Sequence, residues 1–159
     1  MPDPPASYAP GTITVLSLSP VENDHMVLEQ TFRDSSLTLY PNRRVRLRPS
    51  RTLASTLAAL REHRIPIVIC DRDGQPEAWR EILQASKALS APPCVIVTSR
   101  LADDRLWAEL LNEGAFDLLS KPFDKSEVVR VIHSAWVRWQ NRHGLRDAAG
   151  EFQQPATGT

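Results

Sequence analysis

The sequence predicts an α/β protein: a doubly wound, parallel five-stranded sheet covered by helices on both faces, in three layers. Three observations carry this. Short apolar runs rich in β-branched residues recur at 12–18, 67–70, 94–98 and 116–119. Stretches with helical spacing separate them, opened or closed by Ser, Pro, Asp or Gly. Strand and helix therefore alternate five times, the pattern of parallel strands joined by crossover helices.

Taken in order, residues 12–18 (Thr-Ile-Thr-Val-Leu-Ser-Leu) suit a pleated surface. Ser19, Pro20 and Glu22 then read as a helix start: a serine cap, proline at the first helical position, and glutamate three residues after the cap. Val21, His25, Leu28 and Phe32 mark that helix's inner face, and residues 34–36 close it. Residues 37–40 and 45–47 read as one strand carrying an insertion, a hairpin around Pro41 and Asn42. Arg43, Arg44, Arg46, Arg48 and Arg51 make it the basic patch of the chain. Without interleaved aromatics, that patch is a solvated edge rather than a nucleic-acid contact. Ser50 caps the next helix, which runs to His63 with Leu53, Leu57 and Leu60 inward.

Residues 66–71 (Pro-Ile-Val-Ile-Cys-Asp) are the centre of the pattern. Four consecutive apolar residues fit a strand buried on both faces, and the strand ends on a carboxylate, Asp71. Pro76 opens a helix to Leu89 that carries Trp79, Ile82 and Leu83 inward. After Pro92 and Pro93 the fourth strand, 94–98, ends at Thr98-Ser99. A helix over 102–112 offers Leu106, Trp107, Leu110 and Leu111, and Gly114 stops it. The fifth strand, 116–119, leads into Ser120-Lys121-Pro122-Phe123. Asp124 caps the last helix, whose apolar face is Val128, Ile132, Ala135, Trp136 and Trp139. One or both tryptophans are expected to close the core; an exposed Trp139 would instead be an anchor for a partner.

A chain of 159 residues holds one domain, expected at 12–140, between a proline-rich, disordered lead at 1–11 and a polar, disordered tail at 141–159. Nineteen basic and nineteen acidic side chains cancel, so charge gives no general affinity for nucleic acid or a membrane surface. No apolar run approaches the roughly 20 residues that span a bilayer, and the N-terminus lacks the marks of a signal peptide. A cytoplasmic location is expected. Cys70 and Cys94 sit in apolar runs and are expected to pack as small hydrophobes. There is no G-x-G-x-x-G or P-loop pattern, and His63, His133 and His143 form no spacing set. An enzyme is not expected.

In open parallel sheets, chemistry sits beyond the carboxyl ends of the strands. Three polar groups share that edge: Asp71 after the third strand, Thr98 at the end of the fourth and Lys121 after the fifth. Each alone reads as a strand-end capping group. Together they suit phosphoryl transfer onto a carboxylate, with ammonium and hydroxyl satisfying the new oxygens.

The segments Ile67-Val68-Ile69-Cys70-Asp71, Val95-Ile96-Val97-Thr98-Ser99 and the run from Gly114 to Phe123 resemble the receiver domain of bacterial response regulators, over roughly residues 12–139. The resemblance implies a flavodoxin-like fold with strand order 2-1-3-4-5. It makes Asp71 the phospho-acceptor, Thr98 the switch hydroxyl, Lys121 the phosphate-facing lysine and Lys121–Pro122 a cis bond. The implied partner is a sensor histidine kinase or phosphotransfer protein. The implied output and homodimer surface is the fourth helix, fifth strand and fifth helix.

Three features depart from the family's pattern. Ser19 and Pro20 stand where the family has an acidic pair that holds Mg²⁺. Asp71, helped by Asp73, is left as a weak or absent magnesium site. Glu22 is read as the capping partner of Ser19, and Asp24 as a first-turn acid favoured by the helix dipole. The loop 72–76 is short, and Leu118 replaces the rotating aromatic ring of many relatives. The expectation is a stand-alone, atypical receiver whose Mg²⁺-dependent phosphorylation at Asp71 is impaired or absent. The alternative is a phosphorylation-independent pseudo-receiver acting as a protein–protein interaction module.

Overall fold

The structure is a computed structural model that describes residues 11–34 and 44–144. Five parallel strands, β1 (Thr12–Leu18), β2 (Arg44–Ser50), β3 (Ile67–Asp71), β4 (Cys94–Ser99) and β5 (Asp117–Ser120), form one sheet in the order β2-β1-β3-β4-β5. Between them run α1 (Glu22–Asp34), α2 (Leu53–Glu62), α3 (Ala78–Ser86), α4 (Asp104–Glu113) and, last, α5 (Lys125–Trp139). This is the architecture and strand order the sequence implies.

Strand alternation divides the core into two layers. Ile67 and Ile69 of β3 join Ile13, Val15 and Ile96 against α1 and α5, where Leu28, Val128 and Ile132 meet them. Val68 and Cys70 turn the other way, joining Leu16, Leu18, Val95 and Val97 against Trp79, Ile82, Leu106 and Leu110 of α3 and α4. Burial on both faces is why the central strands read as unbroken apolar runs. Cys70 and Cys94 are buried and free. Burial pushes the Cys70 thiol up to about 12 and the Cys94 thiol up to about 11, so neither is a nucleophile near neutrality.

Several local expectations are corrected. Thr52, not Ser50, caps α2, its hydroxyl accepting from the Ser55 N–H at 3.1 Å; Ser50 instead bonds the hydroxyls of Ser55 and Thr56. Helix α3 begins at Ala78, two residues beyond Pro76. Val21 precedes the first turn of α1 and is 44% exposed, whereas His25, Leu28 and Phe32 are buried as expected. On α4 only Leu106 and Leu110 are buried; Trp107 stays 47% exposed, its indole N–H donating to Asp117 at 3.1 Å. Trp136 and Trp139 are both buried and stacked, with centroids 5.6 Å apart, which closes the core and removes Trp139 as an exposed anchor.

Helix α5 runs on into a π-helical turn, Gln140–Gly144, whose His143 is buried against Trp139; of these, the sequence assigned 141–144 to the tail. On β2, an edge strand, Val45 and Leu47 pack inward while Arg44, Arg46 and Arg48 are exposed. The expected strand at 37–40 and its hairpin lie outside the described residues. No helix among the described residues is long and apolar enough to cross a membrane.

Candidate functional site

Strand order reverses between β1 and β3, so their carboxyl ends flank the crevice where open α/β sheets bind ligands. Asp71 and Thr98 lie opposite each other in the β3–β4 register. Both share strand parity with Ile67, Ile69 and Ile96, and so face the α1–α5 side. Lys121 follows β5, its N–H bonded to the Ser99 carbonyl at 3.1 Å, and its peptide bond to Pro122 is cis.

Asp71 is only 2% exposed, and both of its carboxylate oxygens are engaged. Oδ1 accepts from Lys121 Nζ at 2.7 Å and from the Asp73 N–H at 3.2 Å; Oδ2 accepts from the Gly74 N–H at 2.9 Å. The loop after β3 wraps around its own acid. At Gly74 only glycine fits, since a Cβ there would stand 2.7 Å from Pro20 Cγ and 3.1 Å from Asp71 Oδ2. Pro20 therefore lies over the loop that holds the carboxylate.

Asp24, which the sequence reading left as a first-turn acid serving the helix dipole, completes the cluster. Lys121 Nζ also bonds Asp24 Oδ2 at 2.5 Å, and the same oxygen accepts the Ser19 hydroxyl at 2.7 Å. Ser19 Oγ accepts in turn from the Val21 N–H at 3.1 Å. Glu22, expected to be the capping partner of Ser19, pairs with Arg51 across to the end of β2. The reason is helical geometry. Asp24 stands four residues before the buried Leu28 and so shares its inward face, while Glu22 points out. An acid at that spacing was the sequence signal that could have found it.

The result is one ammonium between two buried carboxylates, with side-chain exposures of 7% for Lys121 and 11% for Asp24. Burial pulls the Lys121 pKa down, but hydrogen bonds to Asp24 and Asp71 outweigh it and hold the group above its ordinary value. The loop's other acid, Asp73, turns elsewhere. Its carboxylate accepts from Ser99 Oγ at 2.7 Å and from the Arg100 N–H at 2.9 Å, tying the β3–α3 loop to the end of β4. Burial raises its pKa, yet the Ser99 and Arg100 hydrogen bonds prevail and set it below the ordinary carboxylate range. Asp71 and Asp73, the pair expected to share a weak Mg²⁺ ion, thus present their carboxylates to different partners. No group of three or more metal-ligating side chains exists among the described residues. Asp71 and Asp73 therefore do not converge on one ion position, and the chemistry proposed for the site uses the chain's own residues.

No protein-family model matches this chain, and no curated protein does. Solved structures do. A response regulator from Thermotoga maritima superposes with a TM-score of 0.67 at 17% identity, covering 79% of this chain and 98% of that one. The signal receiver domain of an HD domain-containing protein from Pseudomonas fluorescens Pf-5 gives 0.67 at 20% identity, covering 86% and 95%. An atypical orphan response regulator, described with a phosphorylation-independent regulatory mechanism, gives 0.62 at 13% identity over 78% and 95%. What is shared at these identities is the fold. The chain has the receiver fold of response regulators.

Proposed function

We propose that this chain is a receiver-type signalling module that accepts a phosphoryl group on Asp71 from a sensor histidine kinase or phosphotransfer protein, with little or no help from Mg²⁺. The observation that carries the reading is the 2.7 Å contact between the Asp71 carboxylate and the Lys121 ammonium at the sheet's switch point. In the transfer, a carboxylate oxygen of Asp71 attacks phosphorus while the donor's P–N bond breaks. The departing imidazole nitrogen keeps the electron pair, and the product at Asp71 is an acyl phosphate. Lys121 exchanges its bond to Oδ1 for one to the incoming phosphoryl oxygens, offsetting the charge brought against the carboxylate. Thr98, in register with Asp71, supplies the hydroxyl. The acyl phosphate then favours one arrangement of α4, β5 and α5 over another, which is the output a partner or a second copy reads.

A second reading has its own support. Asp71 is nearly inaccessible, with both oxygens satisfied by the chain itself, which suits a phosphorylation-independent interaction module. Incubation with phosphoramidate, with and without Mg²⁺, followed by intact-mass measurement separates the two. One adduct in the wild type that disappears in Asp71→Ala, and that depends weakly on Mg²⁺, supports the first reading. No adduct, or one that survives Asp71→Ala, leaves the second.

A further inference from the structure

We infer that Asp24 is a positioning residue that competes with an incoming phosphoryl group for the charge of Lys121, so that α1 carries a latch on the acceptor site. The inference rests on the phosphorylation reading above. A phosphoryl oxygen and the Asp24 carboxylate want the same thing, the Lys121 ammonium. At rest Asp24 has it, at 2.5 Å, alongside Asp71 at 2.7 Å.

Three features make Asp24 a strong competitor. Its carboxylate is nearly buried, where charge-assisted bonds are least screened. It is anchored on its far side by the Ser19 hydroxyl, which the Val21 N–H orients in turn. It also sits on a helix whose inner face is fixed by Leu28 and Phe32, so it cannot swing away at no cost. Charge points the same way. Asp24 and Asp71 together exceed Lys121 by one negative charge, so the resting cluster repels an anionic donor. Removing the charge of Asp24 leaves a balanced pair and an ammonium with one fewer claim on it.

Lys121 gives its full charge to a phosphoryl group only as it loosens its bond to Asp24, and that carboxylate must then find water or another cation. A partner that shifts the start of α1 would release the latch, and a partner that clamps it would hold the site shut. Pro20, which lies over Gly74 beside Asp71, is the first residue such a shift would move.

The test is the rate of adduct formation with phosphoramidate, read by intact mass, in wild type, Asp24→Asn and Asp24→Glu, with Asp24→Asn/Asp71→Ala as the site control. Asp24→Asn is expected to accelerate the reaction by about tenfold or more, because a unit charge at hydrogen-bond distance from the ammonium that the phosphoryl group must share is worth more than thermal energy even when well screened. Asp24→Glu, which keeps the charge, is expected to restore slow reaction. A merely structural role for Asp24 would slow the reaction or leave it alone, so an unchanged or lower rate in Asp24→Asn overturns the latch while the wild-type adduct keeps the phosphorylation reading. An adduct in Asp24→Asn alone, lost with Asp71→Ala, supports both. No adduct in any variant removes both. Should Asp24→Asn not fold, Ser19→Ala, which takes away the anchoring hydroxyl, is expected to raise the rate in the same direction by a smaller factor, and no rise overturns the latch.

Discussion

At the scale of single residues, the site is governed by where one ammonium spends its charge. Lys121 is held above its ordinary value of 10.5 despite burial, because Asp24 and Asp71 stabilise its charged form. A lysine raised on folding contributes stability that is complete below its unfolded value and is lost as pH rises through the folded one. Lys121→Met leaves two buried carboxylates facing each other and is expected to cost about 3 kcal/mol near neutrality. The gap between wild type and variant should narrow as pH climbs past 10.5, and urea melts between pH 8 and 11.5 would check it. A gap independent of pH would mean the loss is one of packing alone. Asp71, Thr98 and Lys121 were legible because each stands at a strand end, a place the apolar runs mark directly. Asp24 was not, because its role depends on which face of α1 turns inward. An acid in a first helical turn has a sufficient local explanation in the helix dipole. Only its four-residue spacing to Leu28 argues that it points in.

At the scale of elements, the strands were readable because double-sided burial leaves little but β-branched and aliphatic residues in them; Asp124 caps α5 as expected, while the other four helix starts were displaced by two residues. Ser50 and Pro76 carry the right local chemistry for helix starts, but Thr52 and the turn before Ala78 take those parts. Caps compete among neighbouring hydroxyls and prolines, and tertiary contacts choose between them. Ion pairs between helices left no sequence trace at all. Arg80 of α3 bonds Glu77 on its own side at 2.8 Å and reaches α4 through Glu109 and through Glu113 at 2.7 Å, with its guanidinium 4.4 Å above the Trp79 ring. This fork braces α4, an element of the proposed output surface, against α3. Arg80→Ala is expected to cost about 1 kcal/mol, since partly exposed pairs are individually weak and matter here as a network. The loss should shrink at 1 M salt, and Arg80→Lys should recover only part of it because an ammonium cannot span both glutamates. Denaturant midpoints at low and high salt measure both. A full rescue by lysine would reduce the brace to simple charge attraction.

At the scale of the molecule, the question is whether an event at Asp71 reaches the surface that a partner would read. The shortest covalent path runs along β5, which begins at Asp117 and hands over to Lys121 immediately after its last residue, Ser120. Asp117 accepts the indole N–H of Trp107 at 3.1 Å, so the strand that delivers Lys121 to the site is also fastened to the exposed side of α4. The chain has four tryptophans; Trp79, Trp136 and Trp139 are buried, and Trp107 is the exposed one. Iodide should therefore quench one component of the emission, and Trp107→Phe should remove it. If Lys121 moves when Asp71 is modified, β5 shifts with it and the Trp107–Asp117 bond is loosened or tightened. Phosphoramidate is then expected to change the quenchable component in the wild type and to leave it unchanged in Asp71→Ala. An adduct at Asp71 confirmed by mass, with Trp107 quenching unmoved, would show that the site and the α4–β5 surface act independently. Any output would then have to leave by another route, such as the contact by which Asp73 ties the β3–α3 loop to Ser99 and Arg100 at the end of β4.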